Sequence, residues 1–267
     1  MKKNEIMLRP TYWACVSGGK DSLFMLNYIL NNLNKYPLDA VVHFELEIDF
    51  PFIKNVIDYM QNACEKHGIK FLRIKPRKTW EELYYTKCIS KNGYETIYGF
   101  PTRVGRWCNE KYKLDAGKQL EDYVNSFGCY TVRYIGFCAD EERRFKIQTN
   151  VIREIYPLAE AGICENDIWE LAKHEPIFNN YYKTQKRCGC MYCPLSSFIN
   201  YAYLYKYYPE KFQYMIKKMK ETELLRLQET GKPCSVTSSN PKYNADYIVH
   251  IVKNKWLHKL NEMELEK

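Results

Sequence analysis

The chain has 267 residues, enough for one large α/β domain or for a domain with a helical appendage, and its 46% hydrophobic content supplies a core. No apolar run is long enough to span a bilayer, and eleven scattered cysteines, an odd number, do not form a disulfide framework. The net charge of +8 suits a polyanionic partner such as a nucleotide or nucleic acid, and equally suits plain solubility.

The N-terminal MKKNEIMLRPTYW lacks an apolar signal core and a small-residue cleavage site, so a cytoplasmic protein with reduced thiols is expected. Tyr12 to Val16 reads as a strand, and Leu23, Leu26, Leu30 and Leu33 then recur at helical spacing. Residues 39–46 (DAVVHFEL) form a second strand. A helix from Pro51 carries Ile53, Val56, Ile57, Met60 and Cys64 inward and stops at Gly68. Lys70 to Ile74 is a third strand, 109–126 a helix, Tyr130 to Phe137 a fourth strand and Val151 to Tyr156 a fifth. Such alternation predicts a doubly wound, mostly parallel five-stranded sheet with ligands at the carboxyl ends of its strands. Beyond Pro194, residues 196–223 and 247–260 read as helices around a Pro/Ser/Asn-rich loop. The expected organisation is an α/β nucleotide-binding domain over 1–195 and a helical region over 196–267.

Between the first strand and helix lies Ser17-Gly18-Gly19-Lys20-Asp21-Ser22. Two glycines let successive N–H groups face one point, and the helix adds its positive end, which makes a nest for phosphates. The spacing is neither a Walker A loop nor GxGxxG. A capped helix after a Gly-Gly turn is the structural alternative.

Further on, Cys190-Met191-Tyr192-Cys193 has the gap that lets two thiolates reach one metal, with Cys188 two residues upstream. Lys183, Lys186 and Arg187 are placed to help keep these thiols deprotonated. Taken alone, Cys-x-x-Cys serves equally as a redox dithiol or as half a zinc site. The stretch 201–220, YAYLYKYYPEKFQYMIKKMK, is either a base-stacking basic surface or an amphipathic helix with Tyr and Met inward and lysines in solvent. Isolated Cys15, Cys64, Cys88, Cys129 and Cys164 read as core residues.

The string SGGKDS resembles the PP-loop of the adenine-nucleotide α-hydrolase superfamily. From about Trp13 to Pro194 the chain is similar to its phosphoadenosine and adenosine phosphosulfate (PAPS/APS) reductase branch. Four further segments carry the likeness: Glu45 to Pro51 (ELEIDFP), Arg106-Trp107-Cys108 followed by Lys111 and Lys113, Gly136 to Arg144 (GFCADEERR), and Gly189 to Pro194 (GCMYCP). Departures are Glu47 for a glycine, Trp107 for the first of two paired cysteines, and Cys138 for an arginine.

The resemblance implies an ATP or other adenine-nucleotide site, with Mg2+, formed by Ser17, Gly18, Gly19, Lys20, Asp21, Ser22, Glu45 and Gly136. Catalytic roles would fall to Lys20, Asp21, Arg143 and Arg144. For the two arginines, phosphate or sulfate contact and a solvated charge pair are both open, and Glu45 can equally be a surface carboxylate. It also implies a 4Fe–4S cluster on Cys108, Cys190 and Cys193, with Zn2+ as the alternative occupant. Either Cys188 supplies a fourth thiolate or three cysteines leave one iron open. The implied activity is an ATP-dependent sulfurtransferase, with a sulfur donor, a nucleic acid as a candidate acceptor and a second copy of the chain as a candidate partner. The alternatives are a PAPS or APS reductase, whose Glu-Cys-Gly-Leu/Ile-His motif is not matched around Cys234 or in the final KWLHKLNEMELEK, and a non-catalytic nucleotide-binding module.

Overall fold

The computed structural model describes residues 9–90, 93–126, 129–146 and 153–265, and the chain divides into two compact units. The first comprises Met1–Leu46, Pro51–Pro76 and Asp115–Asn179; the second comprises Glu47–Phe50, Arg77–Leu114 and Asn180–Lys267. The cysteine loop and residues 77–114 therefore group with the C-terminal helices, across the boundary expected at residue 195.

In the first unit, strands β1 (Arg9–Val16), β2 (Ala40–Phe44) and β3 (Lys70–Ile74) alternate with helices α1 (Lys20–Leu30) and α2 (Pro51–Lys66). Two strands of the second unit, β4 (Lys87–Ile89) and β5 (Glu95–Ile97), pair antiparallel. The chain then returns to the first sheet with β6 (Cys129–Tyr134) and β7 (Arg153–Ile155). The order is β3-β2-β1-β6-β7, parallel at every pairing. The sheet is thus the α/β, doubly wound one that the alternation predicted, and its strand order reverses between β1 and β6. Of the expected fifth strand, residues 151 and 152 lie outside the described residues.

The β2 run Ala-Val-Val-His is buried at every position, as a parallel strand covered on both faces must be. On one face Trp13, Ala40, Val42 and Val124 form a cluster, with Phe44, Leu72, Ile74 and Leu120 against it. His43 is buried opposite Val16, and its Nδ1–H donates to the Val16 carbonyl at 3.1 Å, just before the glycine loop.

The second unit holds a short helix, Trp80–Tyr84, whose Thr79 and Glu82 form a capping box. The helix expected over 109–126 begins instead as a π-helical turn, Cys108–Lys113, before regular helix Leu114–Ser126. The helix expected over 196–223 is two, Phe198–Tyr207 and Pro209–Thr230. Pro209 disfavours helical geometry at Tyr208, which sits at φ −141° and ψ 62°, and the proline opens the next helix at its first position. Tyr201 and Tyr203 are core residues, so the amphipathic reading of this stretch holds for them. Lys218 departs from that reading, because it is buried too. No helix among the described residues is long and apolar enough to cross a membrane.

Burial lowers the His43 pKa; the Val16 hydrogen bond opposes this, Arg73 adds to it and Glu45 opposes it. A histidine whose folded pKa lies below its unfolded value refuses a proton that the unfolded chain accepts. Stability is therefore lost as pH falls below the unfolded value of about 6.5. In urea titrations, His43→Asn is expected to lose less unfolding free energy between pH 7 and pH 5 than the wild type. An equal loss in both proteins would contradict this.

Candidate functional site

The expected residues divide between the two units. At the carboxyl end of β1 the chain turns through Ser17, Gly18 and Gly19 into α1. Gly18 has φ +77°, and a Cβ there would lie 2.6 Å from Ile53 Cγ2, so backbone conformation and close packing by α2 both call for glycine. Ser22 closes the loop: its hydroxyl donates to the Gly19 carbonyl at 2.9 Å and accepts from the Ser17 N–H at 3.2 Å. Ser17 is exposed, and the Gly19 N-cap offers no side-chain acceptor to the first turn of α1. A helix start without a side-chain cap, together with the helix dipole, favours an anion here.

Lys20 sits beneath this loop. Its side chain is 1% exposed, and Nζ lies 2.5 Å from Asp21 Oδ1 and 3.6 Å from Glu165 Oε1. The ammonium expected to meet phosphate is thus directed to two carboxylates. Burial raises the Asp21 pKa, and Lys20 works against that rise. Glu165 was not singled out by the sequence, because its helix, Glu165–Ala172, lies outside every recognised motif.

From β6 the chain brings Gly136 against the first turn of α1: a Cβ there would stand 3.0 Å from the Asp21 carbonyl oxygen and 3.3 Å from the Ser22 nitrogen. Cys138 is fully buried, with Sγ 4.0 Å from Asp21 Oδ1. Burial chiefly, and Asp21 next, push its thiol up to about 12. The buried Glu141 accepts from the Cys138 N–H at 3.2 Å and from Arg144 Nη1 at 2.7 Å. The Arg144 guanidinium also lies 4.0 Å over the Phe137 ring. Arg144 is therefore spent on structure, whereas Arg143 is exposed, with no ion-pair partner among the described residues. Glu45, past the end of β2, is exposed and 3.9 Å from Lys75 Nζ.

The four expected thiols lie in the second unit, built around the short segment Glu47–Phe50. The Met191 N–H donates to the Ile48 carbonyl at 2.8 Å, the Glu47 N–H to the Tyr112 hydroxyl at 3.0 Å, and the Trp80 N–H to Glu47 Oε2 at 3.0 Å. One four-residue segment thereby holds both the Cys190–Cys193 loop and the turn bearing Cys108. Tyr192, between the paired cysteines, packs on Trp80 at 5.5 Å, and the Tyr201 hydroxyl donates to the Cys193 carbonyl at 2.9 Å. Trp107, standing where a second upstream cysteine was expected, is a core residue. Its indole N–H donates to the Gly99 carbonyl at 3.0 Å, and its ring packs against Trp80 and Tyr98.

The π-helical turn explains how Cys108 and Lys113 act together. In an α-helix, positions five apart diverge by about 140°, whereas the wider turn brings them towards one side. Burial pushes the Cys108 thiol up to about 11; the charges of Cys190 and Cys193 act in the same sense, and Lys113 and Arg106 oppose them. Cys190 is raised by burial, with Lys113 opposing and Asp49 adding to the rise. Burial likewise raises Cys188, followed by Asp49 and Cys190. For Lys113 burial disfavours the charge, but Cys190 and Asp49 outweigh it and hold the ammonium protonated. At Cys188 and Cys190 burial leads, and the cation that opposes it is Lys113 rather than the expected Lys183, Lys186 or Arg187; a metal would have to displace the protons of these two thiols.

Among the described residues, no three His, Cys, Asp or Glu side chains are placed to hold a metal ion as they stand. The donor chemistry nonetheless fits a thiolate-bound centre. The charges of Cys190 and Cys193 reach Cys108 despite its separation from them in sequence.

No known family profile matches the sequence. Two uncharacterized proteins of Methanocaldococcus jannaschii are similar to it. One is 26% identical over 228 residues, covering 79% of this chain and 49% of its own length. The other is 30% identical over 196 residues, covering 70% of this chain and 37% of its own length. The chain thus spans half or less of the curated relatives it matches. A solved structure of the U34-tRNA thiolase NcsA from Methanococcus maripaludis with its 4Fe–4S cluster aligns with 84% of this chain and 74% of its own, at 17% identity and a TM-score of 0.37.

Because the atoms facing Gly136 are backbone, they cannot swing aside for a methyl group. Gly136→Ala is expected to cost about 1–3 kcal/mol in chemical denaturation. Unchanged stability would show that the β6 loop and α1 do not meet this closely.

Proposed function

We propose that the chain is a PP-loop enzyme that activates an acceptor with an adenine nucleotide, most simply ATP, and replaces an acceptor oxygen by sulfur. The observation that best supports this reading is that segment Glu47–Phe50 is bonded to both the Cys190–Cys193 loop and the turn bearing Cys108, so that the charges of Cys190 and Cys193 act on Cys108, in a chain that also carries the SGGKDS loop.

In the first unit, the phosphates of ATP with its Mg2+ lie at the uncapped N-terminus of α1, over the loop that Ser22 closes. Lys20, held by Asp21 and Glu165, supplies positive potential from below, and the exposed Arg143 supplies a guanidinium from the loop after β6. An acceptor hydroxyl or carbonyl oxygen attacks the α-phosphorus, the bond to the bridging oxygen breaks, and pyrophosphate leaves. A sulfur nucleophile then forms its bond to the acceptor carbon as the C–O bond breaks and AMP departs. Electrostatic stabilisation of the phosphoryl charge is the main demand on these residues.

In the second unit, Cys108, Cys190 and Cys193 would hold a 4Fe–4S cluster, with Cys188 as the candidate fourth thiolate. Such a cluster supplies a place to carry sulfur at a reduced oxidation level. Lys113 and Asp49 set the charge around Cys190, and Tyr192 on Trp80 fixes the loop that presents it. A nucleic-acid acceptor is compatible with the net charge of +8.

Anaerobic protein is to be incubated with ATP, labelled sulfide and total RNA. AMP and pyrophosphate in equal amounts, with label in the RNA, are expected. Arg143→Ala is expected to lower kcat/KM for ATP about tenfold without lowering Tm. Sulfite release from APS or PAPS without pyrophosphate release from ATP would overturn the reading in favour of a reductase. Tight nucleotide binding without turnover would overturn it in favour of a binding module.

A further inference from the structure

Within the second unit is a cavity of about 490 Å³, with no cysteine in its lining, that the proposed reaction does not use. Its walls include Trp80, Tyr192 and Tyr214 together with Glu47, Glu81 and Glu210. The rings form a connected set, with Trp80–Tyr192 centroids at 5.5 Å, Tyr192–Tyr214 at 5.7 Å and Trp80–Tyr214 at 6.3 Å. Lys211 is the basic lining residue. Three carboxylates and three aromatic rings around one small cavity stand out in a chain of net charge +8.

The protein itself shows what these groups accept. Beside the cavity, the Lys218 ammonium lies 4.6 Å from the Tyr84 ring centroid, 4.4 Å from that of Tyr85 and 5.5 Å from that of Tyr214. It is also 3.3 Å from Glu81 Oε1 and 3.4 Å from Glu221 Oε2, with its side chain 4% exposed. Tyr214 and Glu81 serve both this buried ammonium and the cavity wall. Aromatic faces carry negative potential, and a carboxylate at their edge fixes a positive charge over them.

We infer that the cavity of Trp80, Tyr192 and Tyr214 binds a small organic cation of the alkylammonium class. Its rings take the methyl or methylene groups, and Glu210, exposed in the first turn of helix Pro209–Thr230, takes the charge at the mouth. The volume suits a ligand of a few to a dozen heavy atoms. A phosphate or carboxylate ligand would face Glu47 and Glu210 against the lining Lys211, with the third carboxylate, Glu81, already offset by Lys218. The inference stands independently of the sulfurtransferase reading.

The test is calorimetric titration of the full chain with tetramethylammonium chloride and with 1,4-diaminobutane, at ionic strength matched with sodium chloride, and with tert-butanol as the neutral isostere. Saturable binding of at least one cation, about tenfold or more tighter than tert-butanol, is expected. Glu210→Gln and Tyr214→Leu should each weaken it about five- to tenfold. Lys253→Ala, which lies outside the cavity lining, should leave it unchanged. Glu210 is exposed, so its variant keeps the test valid if Tyr214→Leu does not fold. Absence of saturable cation binding, tert-butanol binding as tightly, or Glu210→Gln binding like the wild type would each overturn the inference.

Discussion

Segment Glu47–Phe50 ties the thiol-bearing unit together through three hydrogen bonds: Ile48 carbonyl to Met191, Glu47 N–H to Tyr112, and Glu47 carboxylate to Trp80. Each bond fixes a different element: the Cys-x-x-Cys loop, the π-helical turn with Cys108, and the helix whose Trp80 supports Tyr192. Phe50 then packs on Tyr181 and Tyr203, which closes the segment into the core. Without this seat the thiols would belong to loops with no common reference. With it, two distant stretches of chain act on Cys190 through Lys113 and Asp49, alongside its loop neighbour Cys193.

Buried or half-buried cations recur in this chain, each with a carboxylate nearby. Lys20 has Asp21 and Glu165; Lys218 has Glu81 and Glu221; Lys113 has Asp49 and the Cys190 sulfur. An ammonium removed from water needs such compensation, and each cluster consequently fixes a local arrangement of elements. The net charge of +8 is therefore a poor guide to where positive potential is available. Arg143 is exposed, whereas Arg144, the next residue, is paired with Glu141 and lies over Phe137.

Much of the first unit was legible because its signals are local. Strand-helix alternation, the glycines before α1 and the apolar β2 run each report on a few neighbouring residues, and the parallel order follows from them. The second unit depends on distant pairings. Trp107 looked like a missing ligand, but only the packing shows it to be a core ring. The helical period of 109–126 could not reveal the wider first turn, since one extra residue per turn leaves the apolar pattern almost unchanged. Lys218 reads as a solvent lysine in KKMK, and its burial is decided by Glu81 and Tyr85, which lie more than a hundred residues away. The break at Tyr208-Pro209, by contrast, was written locally in the proline.

Cys108, Cys190 and Cys193 are proposed to form one centre that takes iron and sulfide. Iron, sulfide and zinc analysis with an absorption spectrum of the anaerobically isolated full chain tests it most directly. Iron and acid-labile sulfide in equal amounts, with a broad charge-transfer band that Cys190→Ser abolishes, is the predicted result. A colourless protein loaded with zinc would contradict it.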